Sequence, residues 1–117
     1  MPELIQQPTR IPVPGGKTID EHVGLASTGH DVVSVAHMTA PAGWTEAYQR
    51  PEFDEVTVLL SGLLLVDHDG GQARVRAGQA IITRQGERIR YTAGPDGAEY
   101  LAICLPAFSE ARAHREG

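Results

Sequence analysis

Glycine and proline cut this chain into pieces too short for ordinary helices. Of its 117 residues, 13 are Gly and eight are Pro. The intervening runs are rich in Val, Ile, Leu and Thr and have almost no 3.6-residue periodicity. They read as short strands over residues 31–39, 44–50, 55–60, 63–68, 72–76, 79–83, 88–92 and 99–105. The turns between them carry Ser61-Gly62, Asp69-Gly70-Gly71, Gln85-Gly86-Glu87 and Gly94-Pro95-Asp96-Gly97, where glycine supplies positive φ. About eight to ten strands at this spacing predict an all-β antiparallel sandwich or barrel. Residues 1–16 hold Pro2, Pro8, Pro12 and Pro14 around Leu4, Ile5, Ile11 and Val13. That pattern fits an extended arm or edge strand, because Pro has no ladder donor. Residues 109–115 read as a short C-terminal helix capped by Ser109.

A chain of this length is expected to form a single domain over residues 1–117. Ten Lys plus Arg against 15 Asp plus Glu leave a net charge of −5. The acidic balance argues against nucleic acid or an anionic membrane as partner, since phosphate binding draws on clustered cations. Cys104 is the single cysteine, so no internal disulfide forms, and no Cys/His spacing suggests structural zinc. No apolar run approaches the ~20 residues that span a bilayer. Residues 1–16 have no charged start followed by an apolar run, so no secretory leader is read and a cytoplasmic location is expected.

The glycine spacing in the middle of the chain is more specific. Glu55 is followed by Gly62 through six residues, and Gly78 by Arg84, Gln85 and Gly86 after five. This resembles the cupin family, whose two motifs read G-x5-H-x-H-x3–4-E-x6-G and G-x5-P-x-G-x2-H-x3-N. Gly43 (one residue short), Glu55 and Gly62 match the first motif, and Gly78 and Gly86 the second. The core motifs span residues 43–106. The resemblance implies a small RmlC-like antiparallel jelly-roll barrel. Trp44-Thr45, Asp54-Glu55 and the stretch from Gly86 to Tyr91 are most similar to the cupin domain of ethanolamine-utilisation Q proteins. The family's usual metal is held by three His and one Glu. Here the histidine positions fall on Tyr48, Arg50 and Ile89, and only Glu55 keeps a ligand. Arg cannot lose its proton to become one. No cofactor is therefore expected, the residual option being a divalent metal held atypically by Glu46, Glu55 and His37.

If Tyr48 and Arg50 take the inward histidine positions, Glu46 shares their face, and Glu55 and Tyr91 join them at the barrel mouth. On the last strand, Tyr100, Ala102 and Cys104 are favoured as the inward set. A buried carboxylate has its pKa raised toward working pH. The candidate catalytic residues are thus Glu55, Tyr48, Glu46 and Tyr91. Arg50, His37, Trp44 and Tyr100 are the candidate substrate-binding residues. The expected function is metal-independent acid–base chemistry on a small molecule, of isomerase, cyclase or lyase type. The alternatives are a non-catalytic ligand-binding or sensor cupin, or a metalloenzyme with an atypical site. An internal Glu55–Arg50 ion pair in place of the metal is the structural reading of the same residues. A homodimer is expected, with the N-terminal arm adding a strand to its neighbour's sheet.

Overall fold

The computed structural model describes residues 1–116; Gly117, the last residue of the expected domain, lies outside them. Seven strands and one short helix follow in the order β1 (Thr9–Ile11), β2 (Thr18–Val23), β3 (Ser34–Ala40), β4 (Asp54–His68), β5 (Gly71–Arg76), β6 (Ala80–Thr83), β7 (Arg90–Leu105) and α1 (Glu110–Ala113). Every pairing is antiparallel. The strands run β1-β2-β3-β7-β4-β5, with β6 on β4, and the sheet wraps an interior. The all-β expectation is met by fewer, longer strands.

Two glycine-rich breaks turned out to be irregularities inside long strands. Ser61-Gly62 does not end β4, and Gly94-Pro95-Asp96-Gly97 does not end β7. The register passes from Gly62 opposite Ala98 to Leu64 opposite Ala93, so residues 94–97 bulge out of the ladder. Gly62 has φ +80°, and a Cβ there would meet the Gly97 carbonyl; Gly97 has the same φ and faces the Ala40 carbonyl. Only glycine permits that approach together with that backbone. Two long strands are thereby bent, which lets one sheet curl instead of lying flat.

Alternation sorts the side chains. Leu59, Leu64, Val66, Val75, Ile89, Tyr91, Ala93 and Tyr100 form the buried core. At the other end Phe53 and Phe108 meet edge to face at 5.9 Å between ring centroids. The helix is shorter than expected: Ser109 caps it, its Oγ accepting from the Arg112 amide. The N-terminal arm carries strand β1, which pairs with β2 of its own chain and forms the edge of the sheet.

Candidate functional site at the barrel mouth

The segment 44–50 sets the geometry and corrects the reading of its own side chains. It touches the sheet only at isolated bridges, Thr45 to Thr92 and Gln49 to Ile89, and Gln49 also bridges to Arg115. Without a continuous ladder, strict strand alternation does not apply. Glu46 and Gln49, three residues apart, line the interior. Tyr48 instead packs outside, with the Arg88 guanidinium carbon 3.7 Å from its ring centroid. Arg50 is exposed and donates to the Gly86 carbonyl at 3.2 Å. The Glu55–Arg50 ion pair therefore does not exist.

His37 is misplaced by the alternation argument in a different way. Ser34, Ala36 and Met38 line the interior, which leaves Val35, His37 and Thr39 on the outer face. The His37 Nε2 lies 2.7 Å from Glu99 Oε2. It shares no space with Glu46 and Glu55, so the atypical metal set is not assembled. The family's own metal site does not fit either. Of its four positions, Tyr48 and Arg50 lie outside, Ile89 is a buried hydrocarbon, and Glu55 stands alone. Among the described residues no three His, Cys, Asp or Glu side chains gather to hold a metal ion.

Glu55 is inward, between Thr83 and Cys104 in the ladder. Burial pushes its pKa up to about 7, the charge of Glu46 adding to the effect and Lys17 opposing it. Burial also raises Glu46, with Lys17 and Arg115 working the other way. Tyr91 is buried, its hydroxyl 3.2 Å from the Thr83 Oγ1, and burial holds it well above the ordinary phenol range. Tyr100, Ala102 and Cys104 point inward as favoured. The Tyr91, Tyr100, Phe53 and Phe108 rings leave little space between them: the inner cavity holds only about 40 Å³. That is room for a water or two at ~30 Å³ each, and well below the ~300 Å³ of an ordinary ligand pocket.

The roomy space lies outside that cavity. A cleft of about 530 Å³ is bounded by residues 12–15, Lys17, Trp44, Thr45, Glu46, Glu110 and Arg115. The Lys17 Nζ sits 4.1 Å from the Trp44 ring centroid and 5.5 Å from that of Tyr100. Among the described residues Lys17 makes no ion pair, and burial lowers its pKa. Arg115 is held at the rim by Glu46 and Glu110, each at 3.1 Å, and the Gln49 Nε2 donates to Glu46 at 3.0 Å. The Gln49 Oε1 is buried with no partner among the described residues. Sequence reading missed Lys17, Arg115 and Gln49. Lys17, the only lysine of the chain, directly after Gly15-Gly16, was the one available signal.

No family model matches the sequence. A curated relative, endoribonuclease YbeY of Myxococcus xanthus, is 45% identical over 107 residues. The match takes in 91% of this chain and 36% of the relative, so the chain spans about a third of that protein's length. This finding overturns two expectations. The small-molecule barrel enzyme, with its sensor and metalloenzyme alternatives, gives way to a relative named for acting on RNA. The exclusion of nucleic acid as a partner falls with it. The charge argument was weak on physical grounds, because a net charge averages over the whole chain and says nothing of local grouping. No described helix is long and apolar enough to cross a membrane.

Solved structures resemble the chain along most of its length. An RmlC-like cupin from Shewanella frigidimarina aligns with a TM-score of 0.75 at 16% identity, over 93% of both chains. The EutQ protein of Clostridium difficile gives 0.66 at 19%, over 80% of this chain and 70% of that one. A Streptomyces PAC13 variant solved with uridine gives 0.77 at 14%, over 97% and 88%. At such identities the likeness speaks for architecture alone, and on that ground the chain has the fold of the RmlC-like cupins.

Proposed function

We propose that this chain is an RNA-binding barrel serving endoribonucleolytic RNA processing, and that it holds single-stranded RNA at its mouth while a separate catalytic unit cuts. The observation that carries the reading is Lys17, a cation without an ion pair among the described residues, stacked on Trp44 in a cleft of about 530 Å³. A base stacks on Trp44, an interaction of about 1–3 kcal/mol. The neighbouring phosphate takes Lys17 and Arg115 as charge-assisted donors. It gives the half-buried ammonium a direct partner, where Glu46 and Glu55 act on it only at longer range. The endoribonuclease relative supports the reading, and most of its length lies outside the match, leaving room for a cleavage centre elsewhere. A PAC13 variant of similar fold was solved with uridine, which is in keeping with the reading. The reading carries with it a cytoplasmic location, which the free thiol of Cys104 suits.

Anisotropy of a labelled octauridylate across a salt series tests this. Two phosphate contacts give a slope of log K against log salt of about −1.4. Lys17→Gln and Trp44→Ala should each weaken binding about tenfold. Equal affinity of both variants and the native protein, or no binding at low salt, overturns the reading.

We also infer a homodimer, on grounds other than the arm. Because Glu55, Thr57 and Leu59 point inward, Val56 and Val58 point outward, beside Ile82 on β6 and Leu101 and Ile103 on β7. Ile82 and Leu105 are exposed. A contiguous apolar stripe on the outside of a sheet suits a second copy of itself.

A further inference from the structure

The outer side of the segment 44–50 carries a second cluster, which the cleft does not use. The Arg88 and Arg90 guanidinium carbons lie 3.7 and 4.5 Å from the Tyr48 ring centroid. Arg90 is anchored by Asp67, with both donors on one oxygen at 3.2 and 3.0 Å. Arg88 is gripped differently. Its Nε and Nη2 donate to the two carboxylate oxygens of Glu116 at 2.7 and 2.9 Å. That parallel fork is the geometry in which arginine also takes a phosphate. Arg50 reaches the Gly86 carbonyl close by, and Arg84 precedes the same turn. Four of the nine arginines thus lie on or beside this turn and strand, interleaved with Asp54, Asp67, Glu87 and Glu116, which accept from the same stretch.

Guanidinium planes on an aromatic ring are a stacking platform for splayed bases, and their free N–H groups are phosphate donors. Trp44 lies four residues from Tyr48 on the same segment, hence no more than about 14 Å away. The cleft and the platform are within reach of one short strand. We infer that Tyr48, Arg88 and Arg90 form a second RNA-binding platform, taking the nucleotides next to the one in the cleft. Glu116 occupies the phosphate position on Arg88 until RNA displaces it. Displacement costs little, because the Arg88–Glu116 pair is exposed, at 35% and 44% of the side-chain surface, and exposed pairs are weak. The inference rests on the RNA reading and extends it from one nucleotide to a track.

Calorimetric titration with two probes, the uridine dinucleotide and octauridylate, separates the two claims. The native protein should bind the octamer at least tenfold more tightly than the dinucleotide. Arg88→Gln and Tyr48→Ala should remove most of that gain and leave dinucleotide affinity unchanged. For Arg88→Gln the salt slope with the octamer should shrink by about 0.7, one phosphate contact on a single strand. Glu116→Gln should tighten octamer binding about threefold and leave the dinucleotide alone. Arg88 is half exposed, so its variant keeps the inference falsifiable should Tyr48→Ala unfold. If both probes bind the native protein equally, or Arg88→Gln leaves the octamer unchanged while the dinucleotide still binds, the platform is wrong and the cleft stands. If neither probe binds, the RNA reading itself fails, and this inference with it.

Discussion

Glu55 stands where ionisation is costly, and its titration is readable in the stability of the protein. Its folded pKa of about 7 lies above the ordinary 4.5, so between those values the folded state holds a proton that the unfolded chain has lost. Stability must therefore fall as pH rises from about 4.5 to 7, by roughly 3 kcal/mol, and level off above. Glu55→Gln, neutral throughout, removes this penalty. It should flatten that limb and make the variant the more stable protein at pH 8, as denaturant unfolding across pH 4.5–8 would show. Parallel limbs in both proteins would refute the assignment. Cys104 makes a second case. Burial pushes its thiol up, and Glu55 adds to the effect, so little nucleophilic thiolate forms. Iodoacetamide at pH 8 should label it only after unfolding; stoichiometric labelling of the native protein would contradict this. At this scale alternation gave the right period wherever a residue sits in a true ladder, though not always the right phase. Glu55 and the set Tyr100, Ala102 and Cys104 point as alternation says. For His37 the period was right and the phase wrong, because Ala36 and Met38, not Val35 and Thr39, fill the barrel. Tyr48 and Arg50 failed for another reason: their segment makes only two bridges to the sheet, and Glu46 and Gln49 turn inward at a spacing no strand has.

At the scale of elements, the bend shared by β4 and β7 decides whether the sheet closes. Gly62 and Gly97 combine positive φ with close approach to a carbonyl. Gly62→Ala should cost about 2 kcal/mol or more, from the left-handed backbone and the displaced Gly97 carbonyl together. By comparison, Gly78→Ala, also at positive φ but with open space around it, should cost only the backbone part, about 1–2 kcal/mol. Thermal unfolding of the two variants checks the order, and a milder effect at Gly62 would sink the argument. The motif glycines made the antiparallel barrel foreseeable, but not the two long strands. A glycine reads as a turn in a sequence whether it ends a strand or kinks one. The site was the least legible part. Arg115 and Glu46 meet across 69 residues of sequence, and Lys17 meets Trp44 where the start of β2 lies beside the end of β3. No local pattern brings such groups together.

For the molecule as a whole, the proposed readings assign two surfaces to two partners. The apolar stripe of Val56, Val58, Ile82, Leu101 and Ile103 is assigned to a second copy, so sedimentation should give twice the 12.6 kDa of one chain. Ile82→Glu, which puts a charge on an already exposed position of that stripe, should return the monomer; a monomeric native protein would refute the pairing. The mouth, with Trp44, Lys17 and Arg115, is assigned to RNA. Trp44 is the only tryptophan of the chain, so its fluorescence reports this cleft and nothing else. Titrating the protein with unlabelled octauridylate at low salt should quench that emission saturably. Raising the salt should reverse the quenching, and Lys17→Gln should shift the midpoint to about tenfold more RNA. An emission that stays constant through the titration, while the protein remains folded, would contradict RNA binding at the barrel mouth.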